Sequence, residues 1–279
     1  DELFRSLGVE TSAAALTNPL VAPLAAVVST GGCTASFVSP QGLIITNHHC
    51  VQGGLQFNAT PSDNLVENGF LAKTMADEKS IGPSGRIWVA QAFTDVTAKI
   101  NDGLGDIADP TARYAALEQR GKAQIAACEK DRPELRCRLH TYFRGAMVIE
   151  DEYLVLRDVR LVYVPSRAIG NYGGDIDNWA WPRHTGDYSF MRAYVGKDGK
   201  PAEFSKDNVP FAPKHWLTVS TAGLAPSDFV MVTGYPGTTN RLQTASELAA
   251  DIESNHPRTI AYLKQRMTLL DGFIAAAAK

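Results

Sequence analysis

The sequence lacks the features that mark membrane, nucleic-acid-binding and zinc-binding proteins. No apolar run approaches the roughly 20 residues of a membrane-spanning helix. A net charge of −3 provides no basic surface for nucleic acid or an anionic membrane. The four cysteines lack the Cys-x-x-Cys spacing of structural zinc modules. We therefore expect a globular protein without metal or cofactor, which suits its 44% apolar and 20% charged residues.

The sequence also shows no signal peptide at Asp1, which predicts a cytosolic or an already processed chain. Its cysteines fall into two pairs that are close in sequence, Cys33 with Cys50 and Cys128 with Cys137. Two local pairs suit two short disulfide loops in an oxidising compartment. Four reduced thiols in a cytosolic protein are the alternative that this pattern leaves open.

The most informative segment is residues 31–50, GGCTASFVSPQGLIITNHHC. Two short apolar runs, Ala35–Val38 and Leu43–Thr46, flank the turn sequence SPQG and predict a β-hairpin. The second strand runs into TNHHC, which places an imidazole beside a cysteine. A Cys33–Cys50 bond would fix the direction of that histidine, as a general base requires.

Further short apolar runs separated by turn signals predict a mainly β protein with a barrel. The predicted strands are Ile87–Phe93, Ala146–Ile149, Glu152–Leu156, Val159–Val164, Asp187–Val195, Trp216–Val219 and Phe229–Thr233. Small residues at helical spacing predict one long helix after the cap at Asp109, within a helical insertion of about residues 95–141. Helices are also expected over residues 1–16, 242–254 and 259–278, with a break at Pro257.

The hairpin resembles the segment that carries the catalytic histidine of chymotrypsin-fold serine peptidases, where a His-Cys pair closes a disulfide over the base. Its doubled histidine is similar to one family of that fold, the periplasmic bacterial dipeptidyl peptidases typified by dipeptidyl aminopeptidase BII. The run GGDIDNWAWPRHTGDYSF, Gly173 to Phe190, resembles the second signature of that family. The resemblance extends to about Arg266.

This resemblance implies a fold and a setting. Residues 1–240 would be the N-terminal part of a chymotrypsin-like double β-barrel, with the first barrel and the start of the second. Residues 241–279 would begin an inserted α-helical domain. The family also implies a periplasmic location, a homodimer, and peptide substrates with a free N-terminus, without nucleic-acid or membrane partners.

Acyl transfer by serine needs a base that takes the hydroxyl proton. His49 is the predicted base because it directly precedes the cysteine, as the base does in chymotrypsin-fold enzymes. His48 would face the opposite side if the strand continues that far. We expect it to be a packing or hydrogen-bonding neighbour.

The base also needs a carboxylate that holds the correct tautomer. Asp187 is the predicted partner because it follows a His-Thr-Gly turn and starts a strand, where the aspartate of this fold lies. A cap of that turn is its alternative role. Asp175 and Asp177 are expected to stabilise a Gly-rich loop, and Asp158 is a more remote candidate.

No serine occupies the position of a nucleophile in this sequence. The fold requires the order histidine, aspartate, serine, with the serine in a Gly-x-Ser-Gly turn. The similar sequence GPSG places Ser84 before Asp187 and puts proline in the turn. Ser84 is therefore expected in a surface loop. The nucleophile and the oxyanion hole are expected outside this sequence, so the chain alone should be inactive.

The resemblance assigns recognition of the substrate N-terminus to Asn178 and Trp179, through an amide oxygen and an indole wall. By residue type alone, Asn178 would be a turn residue, whereas Trp179 and Trp181 would be core aromatics. The predicted function is a serine dipeptidyl peptidase that acts through an acyl-enzyme.

Three alternatives accompany this prediction. An endopeptidase of the same fold would share the hairpin and the carboxylate. A non-enzymatic binding protein would have kept the barrel and lost the nucleophile. A metalloenzyme would use His48, His49 and His184, but adjacent histidines on a strand face opposite ways and the sequence contains no His-Glu-x-x-His motif.

Overall fold

The computed structural model describes residues 2–237 and 242–277. The chain divides into two units, Asp1–Pro236 and Gly237–Lys279. The predicted domain boundary between residues 240 and 241 lies outside the described residues, and so does the predicted helix end at residue 278. None of the helices in the described ranges is both long and apolar enough to cross a bilayer.

The described strands of the first unit form one antiparallel sheet of eleven strands in the order β4-β9-β10-β3-β2-β1-β6-β8-β7, with β11 beside β10 and β5 beside β9. They are β1 (Val27–Ser29), β2 (Thr34–Phe37), β3 (Leu43–Thr46), β4 (Phe70–Leu71), β5 (Lys79–Ser80), β6 (Ile87–Asp95), β7 (Leu135–Tyr142), β8 (Met147–Leu156), β9 (Asp158–Val164), β10 (Ser189–Val195) and β11 (Val209–Pro210).

The described part of the first unit also contains eight short or medium helices, and helices make up most of the described part of the second unit. In the first unit they are α1 (Glu2–Ser6), α2 (Ala13–Thr17), α3 (Gln52–Asn58), α4 (Leu65–Asn68), α5 (Thr97–Asn101), α6 (Pro110–Glu129), α7 (Arg167–Gly170) and α8 (Gly174–Asp177). The 3₁₀ turns are Leu24–Ala26, His48–Val51, Met75–Asp77, Leu104–Asp106 and Phe143–Gly145. The second unit contains α9 (Ala245–Ala250), a π-helical turn (Asp251–Asn255) and α10 (His256–Ala277).

The predicted hairpin is formed by β2 and β3, and its alternating side chains build the core. Phe37 and Ile44 are fully buried on the inner face, as the two-residue period of a strand requires. On its other side β3 pairs with β10, from Thr46 opposite Ser189 to Leu43 opposite Arg192. This register brings the segment before β10 next to the end of β3.

The predicted long helix is confirmed as α6. The Asp109 side chain accepts a hydrogen bond from the Ala112 backbone N at 2.8 Å, and Pro110 opens the first turn, as expected of a capped helix start. The helical prediction is wrong over residues 135–141, which form β7. That segment pairs along its whole length with β8. Its backbone N–H and C=O groups therefore find hydrogen-bond partners in the sheet, although the sequence pattern suggested a helix.

The predicted breaks in two segments are wrong. Residues 147–149 and 152–156 lie in the single strand β8, because β8 pairs with β6 on one side and with β7 on the other across the acidic residues between the two runs. Of these, Glu150 Oε2 accepts from Gln124 Nε2 at 2.9 Å. Pro257 does not break a helix: α9, the π-helical turn and α10 follow one another without a gap from residue 245 to residue 277, and Pro257 lies directly after the π-helical turn. Proline and π-helical turns are both recognised irregularities within helices. The helix expected over residues 1–16 is instead the two short helices α1 and α2.

The predicted strands Trp216–Val219 and Phe229–Thr233 are irregular and exposed. Val232 is 98% exposed, and Val219 and Val230 are each more than 60% exposed. A strand requires a neighbour for its backbone groups, and none of the described strands pairs with either run. Residues of high β-propensity therefore remain without a sheet here.

Candidate active site

His49 and Asp187 form a hydrogen-bonded pair at the end of β3. The His49 Nδ1 lies 2.8 Å from Asp187 Oδ2, and the His49 backbone N donates to Asp187 Oδ1 at 3.1 Å. Because a carboxylate only accepts, the neutral ring must carry its proton on Nδ1. Nε2 is then left with a lone pair, which is the arrangement that a general base requires.

The sheet register brings these two residues together across 138 positions of sequence. Residues 47–49 follow β3, and Asp187 precedes β10, whose first residue Ser189 lies opposite Thr46. The strand starts two residues later than predicted because Tyr188 is held in a turn, with its backbone N donating to the Gly186 carbonyl at 2.8 Å. Asp187 thus lies at the strand entrance with its carboxylate directed at His49.

His48 and His49 point to different sides, as predicted, but the cause is a 3₁₀ turn rather than a continued strand. His48 is 1% exposed, whereas the His49 side chain is 61% exposed. Burial lowers the pKa of His48, and the charge of Asp187 only partly opposes this effect. His48 is therefore a neutral packed ring beside the pair.

Gly170, at the end of α7, lies against the His48 ring, and a methyl group at its Cα would overlap three ring atoms. We expect Gly170→Ala to lower the free energy of unfolding by about 1–3 kcal/mol, as overpacking of a buried site does. Gly105→Ala is the matched control because no atom lies within 4 Å of its added methyl. Thermal unfolding of both variants measures the difference, and equal melting temperatures would contradict this packing.

Both predicted cysteine pairs are disulfide-bonded. The Cys33–Cys50 bond spans 17 positions and joins the residue before β2 to the residue after His49. The Cys128–Cys137 bond joins the end of α6 to β7. The first bond restrains the 3₁₀ turn that carries the imidazole, so the orientation of His49 does not depend on β3 alone.

A cavity of about 530 Å³ opens beside the His49–Asp187 pair. Most of its lining is polar. It is lined by His48, His49, Gln52, Gln56, Val66, Arg167, Gly170, Asn171, Tyr172, Gly174, Asp175, Asn178, Thr185 and Asp187. Sequence reasoning missed Gln52 and Gln56, although their four-residue spacing on α3 places both amides on one helix face. It also missed Arg167, which forms a 2.8 Å ion pair with Glu67 at the rim.

The structure separates the predicted residues of the second motif. Asn178 and Asp175 line the cavity. Trp179 does not line it and is 89% exposed. Trp181 is equally exposed, so the expectation of core aromatics from residue type alone is wrong for the described chain.

Asp187 is the carboxylate that contacts His49. Asp158 is fully buried and forms an ion pair of 2.6 Å with Arg160, which commits it to the interior. Asp177 packs against Gly173 in the loop. Neither of these two residues lines the cavity.

The cavity lining contains no serine or cysteine within the described chain. Its one threonine, Thr185, donates its hydroxyl to the Gly170 carbonyl at 3.2 Å. Ser84 lies exposed in the turn between β5 and β6. The described residues thus place a hydrogen-bonded imidazole and carboxylate at the cavity without a serine, cysteine or free threonine hydroxyl beside them.

The described residues offer two clusters of potential metal ligands, Cys33 with His49 and Cys50, and Cys128 with Glu150 and Glu152. The cysteine sulfurs in both clusters are bonded in disulfides, so neither provides a thiolate. The trio of the metalloenzyme alternative, which includes His184, is not one of these clusters.

The sequence profile of the family described as Peptidase S46 matches residues 1–279. The Asp/Glu-specific dipeptidyl-peptidase of Shewanella putrefaciens is 46% identical over 241 residues, which are 86% of this chain and 32% of that protein. Dipeptidyl-peptidase 7 of Porphyromonas gingivalis is 37% identical over 235 residues, which are 84% of this chain and 33% of that protein. This chain thus spans about a third of the length of these curated relatives.

Solved structures show the same similarity. The crystal structure of Porphyromonas endodontalis DPP11 in complex with substrate matches with a TM-score of 0.81 and 38% identity, over 90% of this chain and 38% of that one. The structure of DPP11 in complex with the dipeptide Arg-Asp matches with the same TM-score and identity, over 90% of this chain and 37% of that one.

Proposed function

The chain belongs to the Peptidase S46 family, and from this premise we propose that it is the part of a serine dipeptidyl peptidase that supplies the base and its orienting carboxylate. One observation carries the proposal. The His49 Nδ1 lies 2.8 Å from Asp187 Oδ2 beside an open polar cavity. A base held in one tautomer at the mouth of a cavity is suited to take a proton from a substrate or a nucleophile.

The proposed reaction proceeds through an acyl-enzyme. His49 Nε2 takes the proton of a serine hydroxyl while the serine oxygen bonds to the carbonyl carbon of the scissile peptide. The imidazolium then gives this proton to the leaving amine as the C–N bond breaks. A water molecule, deprotonated by the same nitrogen, releases the dipeptide and restores the serine. Asp187 stabilises the imidazolium in both halves of the cycle.

We propose that the serine and the oxyanion hole are supplied by another part of the protein, and that this chain alone is inactive. The cavity lacks a serine among its described lining residues, and relatives are about three times as long as this chain. The exposed apolar runs at residues 216–219 and 229–233 support a double β-barrel, because strands elsewhere in the protein would pair with them and complete the second barrel.

Recognition of a free N-terminus is proposed for the wall that carries Asn178. An α-ammonium group has three donors and no acceptor, so an amide oxygen in the cavity can accept from it. Trp179 would form the adjoining wall only if another part of the protein packed against its exposed indole and extended the cavity to it. We also propose a periplasmic location and a homodimer, which the family resemblance implies.

We further propose an acidic residue at the second position of the substrate. The relative from Shewanella putrefaciens, at 46% identity, is named an Asp/Glu-specific dipeptidyl-peptidase. The relative named dipeptidyl-peptidase 7 is more distant, at 37%. A carboxylate at this position would need a cationic group in the pocket. Arg167 in the described lining is already paired with Glu67, so the proposal places that group in another part of the protein.

A peptide and its N-acetylated twin test the proposed function in the full-length protein. We expect dipeptides to be released from the free peptide and release to stop after acetylation, because the acetyl group removes the ammonium that limits the depth of binding. Mass spectrometry of the products measures both. A second peptide with leucine in place of aspartate at position two tests the acidic preference. Equal cutting of both twins would assign the site to an endopeptidase, and no cutting of either would favour a binding protein.

A further inference from the structure

Asn47 contacts the orienting carboxylate, yet the proposed mechanism gives it no role. Its side-chain Nδ2 donates to Asp187 Oδ2 at 3.2 Å and to the Asp187 carbonyl oxygen at 3.1 Å. Both atoms can only accept, so the NH₂ end of the amide must face them. We propose that Asn47 is a positioning residue for the His49–Asp187 pair, an inference that rests on the proposed function.

The contacts around Asp187 explain how such positioning works. Oδ2 accepts from both His49 Nδ1 and Asn47 Nδ2, while Oδ1 accepts from the His49 backbone N. Donors on both oxygens fix the rotation of the carboxylate group. Asn47 Nδ2 also donates to the Asp187 backbone carbonyl, so one amide group bridges the side chain and the main chain of Asp187. Oδ2 is thereby held where it selects the tautomer of His49 with the proton on Nδ1.

Asn47 is itself held from the opposite strand. Ser189 Oγ donates to the Asn47 carbonyl oxygen at 3.0 Å. Backbone pairing already joins the two strands, from Thr46 opposite Ser189 to Leu43 opposite Arg192, so the amide is not needed to hold β3 against β10. Its two bonds converge on Asp187 alone. Asn47 does not line the cavity, which separates it from substrate binding.

Two substitutions in the full-length protein distinguish the hydrogen bonds of Asn47 from the space that its side chain fills. Asn47→Ala removes the donor, and Asn47→Asp keeps the shape but places carboxylate oxygens against two acceptors. We expect kcat to fall about 10-fold in Asn47→Ala, the effect of losing one hydrogen bond to a charged group. Asn47→Asp should fall further, because like charges face each other. KM should stay within about twofold of wild type in both, because uniform substrate binding is untouched.

Asn101→Asp is the matched control. Asn101 Nδ2 donates to the Gly145 carbonyl at 3.1 Å, in a part-buried position on α5, and it has no role in the proposed site. The same change of amide to carboxylate should lower the melting temperature there and leave kcat unchanged. The positioning role would be overturned by a wild-type kcat in Asn47→Asp. It would also be overturned if Asn47→Asp lost no more kcat than Asn101→Asp does for an equal drop in melting temperature.

Nitrogen NMR of the His49 ring in the 279-residue chain gives a readout that does not need activity. The wild type should show the single neutral tautomer with its proton on Nδ1, and Asn47→Asp should show a mixture of both tautomers. If the full-length wild type releases no dipeptide while this change occurs, the proposed function fails and the positioning role stands. If the tautomer is the same in both, the positioning role is overturned whatever the peptide assay shows.

Discussion

In the full-length protein, Asp187→Asn is expected to lower kcat about 10⁴-fold, the loss that follows when the base is left in the wrong tautomer. The reason lies in the donors around the carboxylate. Asp187 accepts from the ring and the backbone of His49 and from Asn47, on both of its oxygens. An amide has one acceptor oxygen, so it must turn its NH₂ group toward one of these donors. When that donor is His49 Nδ1, the ring is driven to carry its proton on Nε2.

Steady-state kinetics on a free peptide measure this effect. Asp207→Asn is a suitable control, since Asp207 forms an exposed pair of 3.3 Å with Lys197 outside the cavity, and it should keep wild-type kcat. Near-normal turnover in Asp187→Asn would instead give the orienting role to Asp175 or Asp177. Kinetics of the corresponding asparagine variants would then identify which of the two supplies it.

The largest expected loss of stability comes from Glu78→Ala, at about 3–5 kcal/mol, because the change leaves a buried guanidinium without its partner. Arg192 Nε donates to Glu78 Oε1 at 2.9 Å, and the two side chains are 10% and 2% exposed. Tyr194 also donates to Glu78 Oε2 at 2.7 Å. Burial and this contact with Glu78 raise the pKa of Tyr194, so the phenol keeps its proton. Both partners of Glu78 lie on β10, the strand that follows Asp187.

Urea unfolding of the chain measures this loss. Asp207→Ala, which removes an exposed ion pair, should cost at most about 1 kcal/mol. The double variant Glu78→Leu with Arg192→Leu should be more stable than Glu78→Ala, because it leaves no unpaired charge inside the protein. A Glu78→Ala variant within 1 kcal/mol of wild type would show that Arg192 finds another partner, such as the Gln41 carbonyl that it already contacts.

Local sequence patterns predicted the parts of this protein that depend on neighbours in sequence. The turn sequence SPQG between two apolar runs specifies the β2–β3 hairpin, and the Asp-Pro cap specifies the start of α6. Two cysteine pairs of short separation favoured the two disulfides, although the pattern left reduced thiols open until the structure showed both bonds. Each of these features depends on residues within about 20 positions of one another. Closing so short a loop costs little conformational entropy, and turn residues favour it locally.

The same patterns were wrong where distant pairing decides the outcome. Residues 135–141 suggested a helix but form β7, because β8 offers a partner along their whole length. Residues 216–219 and 229–233 suggested strands but remain irregular, because no described strand forms a ladder with them. The Leu217 backbone N donates to the Phe37 carbonyl of β2 at 2.8 Å, but no strand pairing in the described chain extends from this bond. Strand propensity reflects packing against neighbours more than an intrinsic preference of the backbone.

For the site, the sequence by itself determined which residues can act: a histidine before a cysteine, and an aspartate at a strand entrance. Only the tertiary structure decided that these residues meet, that Asn47 joins them, and that Trp179 stays outside the cavity. The physical reason is the register of β3 against β10. A shift of one residue would turn every side chain of a strand to the opposite face. That register is set by the packing of the whole sheet and not by any local stretch of sequence.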